Sequence, residues 1–262
     1  MTSVGQYNVD RRLVAGTSAT PVFPTYKPVF PTYKSNTRVD IALLASALFL
    51  QRFGLPFFDT RLNLDFVFAA LIFIHQFASG RLFIQYDRLL WFLVVVLAAT
   101  SSLFLNFERS RLTSYGEFVL VYFLFTLSRP STPDQYKSTL QGFQSLVLIL
   151  CCLGIAQFAA QFVVDGRKLV MFYGMVPDFL FAPAQNSGAG NPASSMVKSN
   201  GIFLAEPSTM SQIAALGILI EVLEFRRPRY LIVLTLGLLL AYSGPGITML
   251  LISLPLGFLV NR

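Results

Sequence analysis

Beyond residue 38 the chain is a succession of apolar runs separated by short polar breaks. The runs lie near residues 40–58, 62–79, 89–106, 113–128, 139–163, 205–224, 230–243 and 246–260. About eight such runs predict an all-α, polytopic integral membrane protein with about eight transmembrane helices. Crossing a bilayer at full thickness takes roughly 20 residues. The second, fourth, seventh and eighth runs must therefore borrow flanking residues, tilt little or meet thinned lipid. Gly244-Pro245-Gly246 predicts a tight turn between the last two runs, which leaves a re-entrant hairpin open as an alternative to two spans.

The pattern is absent from residues 1–38, which are polar and carry Arg11, Arg12, Lys27, Lys34 and Arg38. The first apolar run follows with no clear small-residue cleavage site, so no cleavable signal peptide is expected. Within this arm the heptapeptide at Pro21–Lys27 (PVFPTYK) is repeated at once at Pro28–Lys34. Two prolines in every repeat deny a helix its hydrogen bonds, and an extended, mobile cytoplasmic arm is predicted. It is read either as a binding segment or as a functionally neutral duplication. The expected organisation is this arm at 1–38 and a transmembrane domain at 39–262 with a large extracytoplasmic loop at 164–204.

Composition agrees with lipid as the solvent. Hydrophobic residues make up 54%, charged residues only 13%, and mean hydropathy is +0.61, values wrong for a soluble domain. The formal charge of +7 comes from 20 basic residues dispersed over short loops, with no basic stripe interleaved with aromatics, so no nucleic-acid partner is expected. The charge sets topology instead. With the amino terminus inside, the inner face receives the five basic residues of the arm, Arg81, Arg88, Arg129, Lys137, Arg226, Arg227, Arg229 and Arg262. The outer face receives Arg61, Arg109, Arg111, Arg167, Lys168 and Lys198. That bias places both ends of the chain in the cytoplasm. Cys151 and Cys152 are adjacent in an apolar run, without metal spacing, and read as core or lipid-facing thiols.

Chemistry concentrates where the large outer loop re-enters the apolar region. The loop begins with Asp165, Arg167 and Lys168, continues through an amphipathic piece suited to the interface, and is rich in Asn, Gly, Ser, Ala and Pro from Ala182 to Ser199. Long irregular loops held between helices are commonly functional. Glu206-Pro207-Ser208-Thr209 predicts a helix start, because proline suits the first turn and an acid meets the positive helix end. Ser208, Ser211 and Gln212 extend a polar edge into the apolar run. The bland reading is a capping motif. Against it stands the density of polar atoms below the interface, costly unless they face protein, water or substrate. Arg52, near the outer end of the first run, either snorkels to headgroups or turns inward to an acid such as Glu117 or Glu206 or to a lipid phosphate.

The segment Ser199-Asn200-Gly201-Ile202-Phe203-Leu204-Ala205-Glu206-Pro207-Ser208, followed by Ser211-Gln212, a basic turn, a further apolar helix and Tyr242-Ser243-Gly244-Pro245-Gly246, resembles the polymerase and ligase superfamily of bacterial surface polysaccharides. It is closer to the xanthan-type exopolysaccharide polymerases than to the O-antigen ligases. The resemblance in motif covers about residues 198 to 260. It implies a GT-C-like architecture in the bacterial inner membrane, working at the periplasmic face. The implied substrate is undecaprenyl-pyrophosphate-linked oligosaccharide, whose repeat units are polymerised by glycosyl transfer. No nucleotide sugar or metal is implied as cofactor. Polysaccharide export and chain-length-control proteins are the implied partners besides membrane lipid. The superfamily continues through another large outer loop, so the chain is expected to lack the carboxyl-terminal part of that architecture.

The residues themselves meet part of this chemistry. A pyrophosphate leaving group calls for cations where negative charge develops. Arg109, Arg111, Arg167, Lys168 and Lys198 are the outer-loop supply, with arginine favoured because its fork holds two phosphate oxygens. Each is also an ordinary interface charge on the bland reading. Glu206 and Arg167 are the catalytic candidates, Glu206 as activator of an acceptor hydroxyl. Arg109, Arg111, Lys198, Ser208 and Ser243 are the candidates for binding substrate or pyrophosphate. Near Asn200, where relatives carry an arginine, this chain offers Lys198 or Ser199. His75, the only histidine, is expected between helices at the inner end of the second run. An O-antigen ligase-like transferase, a transporter of lipid-linked glycans and a non-catalytic assembly scaffold are the rival readings. No dinucleotide, Walker, zincin or nucleophile-elbow motif occurs.

Overall fold

In the computed structural model the described residues are 37–57, 60–105, 112–128, 131–165, 177, 180–181 and 196–260. The duplicated arm expected at 1–38 lies outside them except for its last two residues. Among the described residues are eight α-helices: α1 (Thr37–Phe49), α2 (Leu64–Ala78), α3 (Tyr86–Leu105), α4 (Leu112–Leu124), α5 (Pro133–Ala160), α6 (Pro207–Ile220), α7 (Pro228–Leu240) and α8 (Gly244–Val260). One helix therefore falls in each apolar run. Three segments are long and apolar enough to cross a membrane: Tyr86–Leu105, Pro133–Ala160 and Pro207–Phe225, the last being α6 with a π-helical extension at Glu221–Phe225. The others are shorter.

The helix starts are written in the sequence. Thr132 caps α5 with a reciprocal box: Gln135 N donates to Thr132 Oγ1 at 3.3 Å and Thr132 N donates to Gln135 Oε1 at 3.1 Å. Pro133, Pro207 and Pro228 occupy the first turns of α5, α6 and α7, where a missing N–H costs nothing.

The core lies among α5, α6, α7 and α8, with α1 against α5. Val147 and Leu150 of α5, Met210 and Ala214 of α6 and Leu234 of α7 are essentially inaccessible. Glycine permits the close crossings. A Cβ on Gly237 of α7 would lie 2.6 Å from Cys151 Sγ, and one on Gly246 of α8 only 2.2 Å from the Ser211 carbonyl oxygen. Outside this core α3 packs on α4 while every residue of its apolar window stays unburied. Two short antiparallel ribbons tie neighbours together: β1 (Gly54–Phe57) with β2 (Thr60–Asn63), and β3 (Phe83–Ile84) with β4 (Leu127–Ser128).

Three expectations change. The first run is not one helix over 40–58: α1 stops at Phe49, the chain turns through residues 50–53, and β1 begins at Gly54. Pro56, which would cost a helix one hydrogen bond and crowd its preceding turn, instead falls in a strand. Second, Gly244-Pro245-Gly246 is the first turn of α8, and the reversal is made by Ala241–Ser243 with Tyr242 at φ 46°. Third, His75 in the last turn of α2 is exposed, not packed between helices.

The basic turn after α6 is an ordered corner. Glu221, fully buried, accepts from Arg227 N at 2.7 Å, Arg227 Nε at 2.9 Å and Arg227 Nη2 at 2.7 Å. The Arg227 guanidinium also lies 4.7 Å from the Phe225 ring and 3.8 Å from the Tyr230 ring. The hydrogen bond to Glu221 pushes the Arg227 pKa above its ordinary value, so the guanidinium stays charged. Arg226 reverses the chain in the left-handed region at φ 57°.

Candidate functional site

The polar re-entry segment is held against one face of α5. Gly154, Gln157 and Gln161 recur at spacings of three and four, which aligns them on a single helix face. Gln157, 6% exposed, is the hub. Its Nε2 donates to Asn200 Oδ1 at 3.0 Å, and its Oε1 accepts from Asn200 N at 3.2 Å. Ser199 Oγ lies 2.9 Å from the Gly154 carbonyl and 3.1 Å from Gln157 Oε1. A Cβ at Gly154 would sit 2.8 Å from that hydroxyl, so glycine makes room for the serine. Asn200 Nδ2 donates to Leu204 O at 2.6 Å while Ile202 N donates to Asn200 Oδ1 at 3.2 Å, which closes the segment on itself. Gln161 Oε1 accepts from Val197 N at 2.9 Å.

Between these anchors the backbone is strained. Gly201 and Ile202 have φ of 64° and 73°, and for a β-branched residue this is a true outlier, costing about 1–3 kcal/mol. Arg52 over-determines that conformation from the other side. It is fully buried, donates from Nη1 to the Ile202 carbonyl at 2.7 Å and stacks with its guanidinium carbon 4.1 Å from the Phe181 ring. It does not snorkel. Gln51 beside it accepts from Ala205 N at 3.4 Å. The turn after α1 thus brings two polar side chains to a segment about 150 residues away in sequence.

At the mouth of α6 the expected helix start is present. Glu206 is the N-cap residue, extended at φ −139°, with Pro207 next. Its carboxylate is half-buried and accepts from Ser208 Oγ at 2.7 Å. Ser211 Oγ donates to Ser208 O at 2.8 Å and accepts from Gly246 N at 3.2 Å, which joins the entrance of α6 to the first turn of α8. Ser199 N donates to Leu240 O at 3.2 Å, bringing the end of α7 to the same place.

Of the residues singled out by sequence, Glu206 and Ser208 touch each other. Lys198 is exposed at the edge of the segment, and Ser243 is half-buried in the α7–α8 reversal that Ser211 and Ser199 tie to this end of the bundle. Arg109, Arg111 and Arg167 lie outside the described residues. Sequence reasoning overlooked Gln157, although an amide deep in the apolar run of α5, thirteen residues beyond Gln144, carried a signal: such a group is costly unless it faces protein. Chemically the site offers an accessible carboxylate already within hydrogen-bond reach of a hydroxyl, on a segment braced by buried polar contacts. A carboxylate at that distance can accept a hydroxyl proton. No protein-family model, curated protein or solved structure matches this chain.

Proposed function

We propose that the chain is a multi-span protein of the bacterial inner membrane that polymerises undecaprenyl-pyrophosphate-linked oligosaccharide repeat units at the outer face. The observation that carries this reading is the braced segment Ser199–Ser208, which ends on the half-buried Glu206 carboxylate at the entrance of α6. A hydroxyl of the acceptor sugar attacks the anomeric carbon of the donor. Its proton passes to Glu206, the new glycosidic C–O bond forms, and the bond from that carbon to the pyrophosphate breaks with its electron pair leaving on oxygen. Lys198, with Arg109, Arg111 and Arg167 from the outer loops, meets the charge developing on the leaving group. Ser208 and Ser243 hydrogen-bond sugar hydroxyls. Arg52 is a positioning residue that holds the Ile202 carbonyl and through it the segment.

The test is complementation of a bacterial host deleted for its own repeat-unit polymerase. The 262-residue chain is expected to restore high-molecular-mass polymer, and Glu206→Gln is expected to abolish it at equal membrane abundance. Polymer made equally by Glu206→Gln removes that carboxylate from the chemistry. Failure of the wild-type chain and of a form extended beyond Arg262, both normally inserted and with lipid-linked units left unpolymerised, overturns the polymerase reading.

A further inference from the structure

The reversal from α7 to α8 holds a tyrosine in a backbone conformation that does not suit it. Leu240 ends α7, Ala241 caps it, and Tyr242 follows in the left-handed region at φ 46°, with its N–H on Leu239 O at 3.0 Å. Helices that end this way normally put glycine at that position, because a Cβ is crowded there. Glycine stands close by at Gly244, where a Cβ would meet nothing within 4 Å. Among the described residues the non-glycine residues with positive φ are Ile202, Arg226 and Tyr242. Ile202 and Tyr242 belong to the same end of the bundle, which the Ser199 N–H ties to Leu240 O at 3.2 Å. Backbone strain of this kind gathers at active sites and ligand clamps.

What the strain presents is an aromatic ring. Tyr242 is 57% exposed. Its ring leans on half-buried Phe158 of α5, with centroids 6.3 Å apart and planes at 36°, and Phe158 meets exposed Phe162 edge-on at 5.6 Å. Phe158 directly follows Gln157, so the rings stand on the turn of α5 that holds Ser199 and Asn200. Polar groups adjoin them. Ser243 is next in the chain and half-buried, and Lys198 beside Ser199 is exposed. Gly246 N then reaches Ser211 Oγ at 3.2 Å, and Ser211 Oγ reaches Ser208 O at 2.8 Å, which links the reversal to the mouth of α6. An open ring bordered by a hydroxyl is a poor seat for an acyl chain, which needs a continuous apolar wall. It suits a pyranose, whose C–H face is drawn to the negative face of an aromatic ring and whose rim of hydroxyls needs hydrogen-bond partners. A tyrosine that only marks the membrane interface has no use for a left-handed backbone.

We infer that Tyr242, backed by Phe158, is the platform on which a sugar ring of the acceptor stacks, with Ser243 bonded to one of its hydroxyls. The position of the platform comes from the strain and the rings, whereas the acceptor as its occupant rests on the glycosyl-transfer reading above. The platform takes the flat C–H face of a pyranose whose hydroxyls are equatorial and refuses a face that carries an axial hydroxyl. It therefore acts on which acceptor is used, and the carboxylate of Glu206 acts on the transfer.

The experiment is saturation-transfer difference NMR on the full chain in nanodiscs. The probe is cellotetraose, whose glucose rings carry only equatorial substituents, and the control is sorbitol, which has the hydroxyls without a ring. Wild type is expected to transfer saturation to cellotetraose and not to sorbitol, and to favour the protons of one ring face, H1, H3 and H5 or H2 and H4. Tyr242→Gly and Tyr242→Asn both suit a left-handed backbone better, so they are expected to unfold no earlier than wild type. Each is expected to weaken the transfer about fivefold through loss of one stacking contact, while Tyr242→Phe retains it. The proposal is overturned by absence of transfer from wild type, equal transfer from wild type and Tyr242→Gly, loss in Tyr242→Phe, or earlier unfolding of both the Gly and Asn variants. Cellotetraose is not lipid-linked and is not consumed, so the platform is read without turnover. Polymer restored alike by wild type and Tyr242→Gly would overturn the platform and leave the polymerase reading standing; ring-face transfer by a chain that makes no polymer would support the platform and count against that reading.

Discussion

Gln157 makes the sharpest residue-scale prediction, because one amide serves the backbone of Asn200, its side chain and the Ser199 hydroxyl at once. Gln157→Leu keeps the volume and strands the Asn200 N–H in a buried place, while Ser199 Oγ keeps the Gly154 carbonyl and Asn200 Oδ1 keeps the Ile202 N–H. Each unsatisfied group costs about 1–3 kcal/mol, so a loss of about 2 kcal/mol is expected after partial relaxation. Thermal unfolding in detergent measures it, and an unchanged midpoint would deny the hub its role. Arg52→Lys is the companion test. Lysine keeps the charge but has no planar fork to donate to the Ile202 carbonyl while lying over Phe181. It is expected to lower polymer yield in the complementation assay several-fold while Lys198→Arg, at an exposed position, retains it. Glu206 was legible from sequence because a helix start needs only local cues. The Arg52 contact was not, since it depends on where a turn after α1 meets a segment about 150 residues later, a distance no periodicity encodes.

At the scale of elements the helices were readable and their ends less so. An apolar run reports solvation, and so all eight runs contain a helix; it does not report where a helix stops inside the run, as the break at Phe49 before Pro56 demonstrates. Close crossings are equally silent until the partner is known. Gly244 and Gly246 look alike in sequence, yet a Cβ on Gly244 meets nothing within 4 Å, while one on Gly246 meets the Ser211 carbonyl oxygen at 2.2 Å. Gly246→Ala must therefore push α8 from α6, at about 3 kcal/mol for overpacking against backbone, whereas Gly244→Ala should stay within about 0.5 kcal/mol of wild type. Equal unfolding midpoints for the two variants would refute the crossing. The corner after α6 obeys a different rule. Arg227→Ala removes two of the three hydrogen bonds to the buried Glu221 carboxylate and leaves it the backbone N–H of residue 227, so with the guanidinium 35% exposed a cost of about 2 kcal/mol is expected. Arg226→Gly, relieving a left-handed residue, should cost nothing measurable in the same assay.

For the whole molecule the decisive quantity is the side on which each loop lies, which charge bias predicts and helix length alone leaves open. Three segments are long enough to cross unaided, and α2, α7 and α8 are shorter apolar helices. Eight crossings require these, together with α1 and α4, to span a locally thinned bilayer or to recruit their flanks, as α6 does with its π-helical extension. If all eight cross, Lys198 faces outward and Arg226 inward, separated by the length of α6. Single cysteines at these two exposed positions, in a chain with Cys151 and Cys152 replaced by alanine, make the test. Lys198→Cys is expected to react with a membrane-impermeant maleimide in intact spheroplasts, and Arg226→Cys only after permeabilisation. Labelling of both only after permeabilisation would make α6 part of a re-entrant hairpin and place the Glu206 carboxylate on the same, cytoplasmic face as the basic corner. That geometry is incompatible with glycosyl transfer at the outer surface, because the cations gathered by the positive-inside bias and the proposed acceptor site would then share the cytoplasm.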